Sequence, residues 1–180
     1  MVEDPYLLKD LQSDKNKEAA FRELVSQYKE RLYWHIRTIV IDHDDTDDVV
    51  QNTFIKVFRN INSFKGESKI YTWMYRIATN EALNFLNKKS RSSKVSLEVI
   101  KENSLLHLES DIYFEGDEIQ IKLQKAISKL PHKQQLIFNM KYFNDITYED
   151  LSEILDTSVG GLKSSYHIAV KKIKAYLENN

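Results

Sequence analysis

The chain has 180 residues and 42% hydrophobic side chains, so it is long enough to bury a core as one large or two small domains. It contains no cysteine, which excludes disulfide bonds and thiolate metal sites and is typical of a reducing cytoplasm. No apolar run approaches the ~18 residues of a membrane span, and the N-terminal sequence lacks the pattern of a signal peptide. We therefore expect a cytoplasmic protein without membrane insertion.

The net charge of −1 conceals an uneven distribution along the chain. Residues 15–94 carry fifteen basic and ten acidic side chains, and residues 118–180 carry nine and seven. Residues 95–117 carry one basic and six acidic side chains. Two basic segments joined by an acidic connector are typical of a nucleic-acid-binding protein. We therefore predict a domain over 1–94, a linker over 95–117 and a second domain over 118–180.

Two amphipathic helices are predicted before residue 60. Residues 17–41 place apolar side chains at helical spacing. His35 lies in this run, and because no second ligand lies at metal-binding spacing beside it, we expect a packed or surface histidine. The acidic run from Asp42 to Asp48 lacks the central glycine and closing glutamate of a calcium loop. We interpret these acids as favourable charge at the N-terminus of the next helix.

Residues 71–91 predict a long helix with two contrasting faces. One face is an ordinary core stripe that includes Met74, Ala78 and Ala82. The opposite face spans roughly 120° and carries Trp73, Arg76, Asn80, Asn84, Asn87, Lys88 and Arg91. Basic side chains suit phosphate contacts, asparagine amides suit base edges, and tryptophan offers a stacking surface for an unpaired base. A solvated polar face with a half-buried tryptophan is the alternative, and the helix alone leaves both open.

The last sixty residues predict a helix-turn-helix. Residues 132–143 are amphipathic, and Thr147 followed by Asp150 is typical of a helix N-cap. Ser158 provides a second N-cap after a short turn. The spacing along the helix that follows predicts an inward face of Val159, Leu162, Tyr166, Ala169, Ile173 and Leu177. Its opposite face exposes, across about 100°, Gly160, Lys163, Ser164, His167, Lys171 and Lys174. A basic second helix favours DNA binding, whereas a hairpin used only for packing or dimerisation gives no reason to gather lysines there.

The whole chain resembles an RNA polymerase sigma factor of the sigma-70 superfamily, of the extracytoplasmic-function (ECF, group IV) type that has only domains 2 and 4. Residues 47–58, DDVVQNTFIKVF, resemble the family's core-binding helix, and residues 71–86, YTWMYRIATNEALNFL, its promoter-melting helix. Residues 130–177 resemble its domain 4. The resemblance implies an all-α fold of two small helical domains joined by a flexible acidic linker.

The resemblance also implies three groups of binding residues. The residues that match contacts to core polymerase are Asp48, Gln51, Asn52 and Phe54. The residues expected to line the −10 DNA, which include part of a loop that captures a flipped base, are Ser63, Phe64, Lys65, Trp73, Arg76, Asn80, Asn84, Asn87 and Lys88. The residues expected to meet the −35 element are Gly160, Lys163, Ser164, Ser165, His167 and Lys171.

The implied partners are core RNA polymerase, through the clamp coiled coil of its largest subunit and its flap region, promoter DNA, and an anti-sigma factor. No catalytic constellation or phosphate-cradling glycine loop is evident, so we expect no enzymatic activity, no cofactor and no metal. A stand-alone helix-turn-helix repressor or activator is the main alternative. That alternative leaves the Trp73 face and the Asp48 helix without a role. A helical protein-interaction module is a third alternative. It differs from the other two in that it would not bind promoter DNA.

The chain departs from the family pattern at several of these positions. Asn52, Asn84 and Asn87 stand where the family often has Glu, Asp and Arg. In the recognition helix, common arginines are replaced by Ser165, Ile168 and Val170. Fewer fixed charges there predict weaker attraction for phosphates.

Overall fold

The computed structural model describes residues 5–13, 15–94 and 118–179, and every regular element in these ranges is helical. The first half contains α1 (Pro5–Leu11), α2 (Lys17–Val40), α3 (His43–Asn60), a short 3-10 turn (Ile61–Ser63) and α4 (Ile70–Ser93). The second half contains α5 (Glu118–Ser128), α6 (His132–Tyr142), α7 (Tyr148–Leu155) and α8 (Val159–Asn179). The prediction of an all-α fold is confirmed. The predicted linker, residues 95–117, lies outside the described residues.

Polar side chains fix where several helices begin. The Asp42 carboxylate accepts a hydrogen bond from the backbone N–H of Asp45 at 2.9 Å and caps α3, a contact beyond the favourable N-terminal charge that the acidic run predicted. At α7 the backbone N–H of Asp150 donates to Thr147 Oγ1 at 3.1 Å, and the Thr147 hydroxyl donates to the Asp150 carboxylate at 2.6 Å. The Ser158 hydroxyl oxygen accepts from the backbone N–H at position 161 at 3.3 Å. The predicted N-caps are therefore confirmed.

Helices α2, α3 and α4 pack against one another around a shared apolar core. Leu32, Val57, Met74 and Ala82 are fully buried in it, as the core stripe of α4 predicted. The short helix α1 adds Leu11, which is also fully buried. Burial of one Leu or Met side chain is worth about 1.5–3 kcal/mol, so the stripe holds the orientation of α4 firmly.

The second half closes onto the first. Ile137 of α6 and Leu151 of α7 are fully buried in the same core as the residues of α2 and α4. The Asn139 side chain donates to the Thr38 carbonyl oxygen at 3.2 Å across the same contact. A second, smaller core joins α5, α6 and α8 and ends at Ile173. The described helices thus form one closed arrangement, with α7 lying against α4 and α6 against α2.

One sequence expectation about the core is wrong. The spacing along the last helix predicted a buried Leu177, but this side chain is 38% exposed. Ile173 is the last buried residue of the smaller core; beyond it Tyr176 packs partly against that core, whereas Leu177 stays exposed in the last turn of α8.

Candidate nucleic-acid and polymerase interface

The polar face of α4 points away from the core. Arg76, Asn80 and Asn84 are exposed, as are Asn87 and Lys88 one to three turns further along the helix. Within the described part of the chain, Asn80 and Asn84 make no side-chain hydrogen bond or ion pair. Their amides are therefore available to an external partner, which is the geometry that the predicted −10 surface needs.

The loop before α4 combines exposed and buried parts. Ser63 and Lys65 are exposed, whereas Phe64 is only 7% exposed. The Phe64 ring lies 5.3 Å from the half-buried Trp73 ring at an interplanar angle of 46°. The Phe64 ring is thus mostly buried against Trp73 at the edge of the predicted −10 surface, and its contact with DNA stays a prediction.

Gln12 connects the N-terminal helix to this loop. Its Nε2 donates to the carbonyl oxygen of Phe64 at 2.9 Å and to that of Ile61 at 3.3 Å. The partners are 52 and 49 residues away in sequence, so no local pattern could have identified Gln12. The two bonds fix both ends of the turn from which the loop leaves α3.

Three of the four predicted polymerase-binding residues line an open groove between α2 and α3. Asp48, Gln51 and Phe54 line this groove, and Asp48 and Gln51 are exposed. Phe54 is 8% exposed and forms part of the groove floor, edge-on to the Phe21 ring at 6.2 Å. Asn52 is exposed beside the groove without lining it. An apolar floor with a polar rim has the composition of a protein-binding surface.

The predicted −35 residues form the outer face of α8. Exposed among them are Gly160, Lys163, Ser164, His167 and Lys171, and Ser165 is partly buried. The Lys163 ammonium lies 5.6 Å from the centre of the Tyr148 ring of α7, so the first helix of the helix-turn-helix positions a cation of the second. The sequence prediction did not include Tyr148.

Asp150 lies at the centre of the contact between α7 and α4 and is 5% exposed. Its carboxylate accepts from Lys69 Nζ at 3.3 Å and from Thr72 Oγ1 at 3.2 Å. The Tyr71 hydroxyl donates a further short hydrogen bond to it. Together with Thr147, four side chains donate to one carboxylate. The sequence predicted Asp150 only as part of a helix cap.

The pKa values of Asp150 and Lys69 reflect these contacts. Burial raises the pKa of Asp150, but the hydrogen bonds from Thr147, Tyr71 and Lys69 outweigh burial, so the net pKa lies below its usual value. The pKa of Lys69 is raised by its contacts with Tyr71 and then Asp150. Both groups therefore stay charged at neutral pH.

A groove separates the predicted −10 loop from α7. Lys65, Trp73 and Arg76 line one side of it, and Glu153 of α7 and Asp156, which follows the end of α7, line the other. The closed chain therefore places acidic side chains opposite residues that were predicted to face DNA.

His35 is fully buried against α4, which is one of the two environments that the sequence predicted for it. Its Nε2 lies 2.9 Å from Thr79 Oγ1, and its ring centre lies 4.7 Å from that of Tyr75. Burial lowers the pKa of His35 to about 4, against a smaller opposing effect of the Asn144 side chain. Below pH 6.5 the unfolded chain therefore binds a proton that the folded chain excludes until about pH 4, and stability falls across that range.

The described residues 5–13, 15–94 and 118–179 contain no group of three His, Asp or Glu side chains placed to hold a metal ion. Among the described helices, none combines the length and the apolar character that crossing a membrane requires.

Residues 24–92 match the family pattern of Sigma-70 region 2, and residues 120–173 match that of Sigma-70, region 4. The chain is 33% identical over 154 residues to the ECF RNA polymerase sigma-E factor of Haemophilus influenzae, across 81% of this chain and 80% of the relative. It is 28% identical over 177 residues to the ECF RNA polymerase sigma factor SigW of Bacillus subtilis, across 93% and 94%.

Two solved structures share the fold at 19% sequence identity. CnrH in complex with the cytosolic domain of CnrY gives a TM-score of 0.71, covering 97% of each chain. The sigma factor RpoE in complex with the anti-sigma factor NepR from Bartonella quintana gives 0.68, covering 88% of this chain and 96% of the other.

Proposed function

The chain belongs to the extracytoplasmic-function (ECF) RNA polymerase sigma factors, and from this premise we propose that it binds core RNA polymerase and directs transcription initiation at specific promoters. The observation that carries the proposal is the presence of three separate surfaces on one chain. These are the groove between α2 and α3, the polar face of α4 and the basic face of α8. A stand-alone repressor needs only the last.

We assign a separate task to each surface. Residues 1–94 form the domain that docks on the polymerase clamp through the α2–α3 groove and recognises partly melted −10 DNA with α4. Residues 118–180 form the domain that enters the major groove of the −35 duplex with α8 and contacts the polymerase flap. Residues 95–117 link them. The amides of Asn80 and Asn84 suit base edges that only separated strands expose fully.

The closed arrangement must open for this function. A compact chain of this length has a diameter of about 40 Å, from a radius of gyration of about 16 Å. The −10 and −35 elements are centred about 25 base pairs apart, which is about 85 Å of duplex at ~3.4 Å per pair. The closed chain therefore reaches only one element at a time. Core polymerase, by holding the two halves apart, makes simultaneous recognition possible.

The partners and location follow from the same premise. RpoE is seen with the anti-sigma factor NepR, so we propose that an anti-sigma factor also holds this chain inactive until a signal releases it. Regulators of this family act in transcription, and phosphodiester bond formation belongs to the polymerase. We therefore propose a cytoplasmic protein that is not an enzyme and needs no cofactor.

A binding titration and a footprint test the proposal together. The purified chain should bind core polymerase tightly, and Asp48→Ala should weaken that binding because its side chain is exposed at the groove. The complex should protect −35 and −10 DNA, whereas the chain alone should bind the same fragment poorly. A tight, sequence-specific footprint without polymerase would favour the repressor interpretation instead.

A further inference from the structure

Three donors at the beginning of α4 form a cradle, defined here as Lys69, Tyr71 and Thr72. The Lys69 ammonium, the Tyr71 hydroxyl and the Thr72 hydroxyl all converge on the Asp150 carboxylate. Thr72 is 2% exposed, so one wall of the cradle is buried, while the Lys69 side chain is 54% exposed and reaches solvent. The cradle is therefore a built anion site with an open side.

The anion in the cradle comes from the other half of the chain. Asp150 lies 78 residues beyond Thr72 and 81 beyond Lys69, and it occupies the cradle only while α7 lies against α4. The extension needed to span two promoter elements removes Asp150 from that position. An ammonium and two hydroxyl groups, in contact with the same anion, would then lose their partner.

The cradle lies directly beside the predicted −10 surface. Trp73 follows Thr72 in sequence, and Thr72, Trp73 and Arg76 line one groove together with the loop residue Lys65. Lysine, tyrosine and threonine side chains are the kinds of donor that proteins use to hold DNA phosphates and so set the register of neighbouring base contacts. The position and the chemistry of the cradle both suit a nucleic-acid backbone.

We propose that the cradle binds a phosphodiester group of promoter DNA, and that Asp150 occupies it as a phosphate mimic while the chain is closed. The proposal rests on the proposed function, because it needs α4 to face −10 DNA. A carboxylate and a phosphodiester each present two anionic oxygens to the same three donors. Only one of them fits at a time, so closure of the chain and binding of the backbone exclude each other. DNA replaces the hydrogen bonds that opening breaks.

Polymerase-bound chain tests the cradle directly, because there the halves are apart. The probe is a forked fragment of a promoter at which this chain and core polymerase initiate. Lys69→Ala should weaken binding about tenfold. It should also reduce the salt slope, which is the dependence of log affinity on log salt concentration, by about one ion, as loss of one phosphate contact does. Tyr71→Phe should weaken binding about threefold with an unchanged slope, because it removes a hydroxyl and no charge.

The matched control is Lys56→Ala. Lys56 is 51% exposed, pairs with Glu81 and lies outside the cradle, so its loss removes the same charge from the same half of the chain. Forked-fragment binding should be unchanged. Equal effects of Lys69→Ala and Lys56→Ala would overturn the cradle. Arg76→Ala distinguishes failure of the cradle from failure of the −10 assignment. If Arg76→Ala binds the forked fragment with unchanged affinity, the −10 assignment itself is wrong.

The free chain tests the mimicry. Asp150→Asn keeps the shape of the side chain and removes its charge, so it should shift the chain toward the open form and raise its affinity for the forked fragment about tenfold. Opening is measured by energy transfer between dyes on Arg22→Cys and Lys174→Cys, which are exposed sites in a chain without native cysteine. A thermal melt confirms folding. Unchanged energy transfer and affinity would overturn the role of Asp150.

Discussion

Replacing Asn80 or Asn84 by alanine separates folding from promoter melting. Both side chains are exposed and make no hydrogen bond or ion pair within the described residues, so neither replacement removes a native polar interaction. Alanine is the better helix former by about 0.5 kcal/mol. For a helical region of this size that gain corresponds to a rise in Tm of about 2 °C. The variants should therefore be at least as stable as the parent.

Promoter melting should respond in the opposite direction. A side-chain amide that recognises a base edge contributes about 1–3 kcal/mol, so loss of ~1.4 kcal/mol lowers open-complex formation about tenfold. The assay is the signal of a fluorescent base near −10, measured with a thermal melt and a polymerase titration. Asn52→Ala is the matched control, because this exposed asparagine lies on α3 and is assigned to polymerase. It should weaken polymerase binding and leave the melting step intact.

Two outcomes would contradict the roles given to Asn80 and Asn84. If Asn80→Ala and Asn84→Ala both melt DNA normally, α4 does not recognise the −10 element through its amides. If both variants lose thermal stability, the polar face has a structural role that their exposed side chains do not reveal.

Three further predictions concern other parts of the chain. Lys163→Ala and Lys171→Ala should each lower the salt slope of −35 binding by about one ion, and an unchanged slope would place these lysines away from phosphates. Gln12→Met removes two hydrogen bonds worth about 1 kcal/mol together. Promoter melting should therefore fall roughly fivefold, and the backbone amides of the loop should exchange hydrogen faster, while the affinity for core polymerase stays constant. The parent chain should lose about 3 kcal/mol of unfolding free energy as the pH falls from 6.5 to about 4. His35→Gln should abolish that loss, as denaturant titrations would show. A parallel loss in the variant would assign that pH dependence to other groups.

Local chemistry explains what the sequence predicted well. The face of α4 was predictable because helical periodicity alone separates Met74 from Asn80, and the buried stripe then fixes the orientation of the helix. The cap at Thr147 was predictable because donor and acceptor are three residues apart. The roles given to these faces came from the family resemblance, and the individual site residues remain predictions.

Contacts distant in sequence explain the rest. The cradle around Asp150 joins residues about 80 positions apart, and Gln12 reaches a loop about 50 positions away. No periodicity or capping pattern encodes such pairs. The sequence also could not show that Phe64 packs against Trp73, because an aromatic residue in a polar loop has no repeating pattern to indicate its burial.

Transcription from purified components tests whether the chain acts as a sigma factor. Core polymerase should initiate at a small set of genomic fragments only when this chain is added, and mapped RNA 5′ ends should share one −35 and −10 pair at constant spacing. Lys163→Ala and Asn80→Ala should each reduce those transcripts without creating new start sites. Start sites that do not depend on the chain, or repression of starts made by another sigma factor, would show that the chain is not a promoter-specific sigma factor.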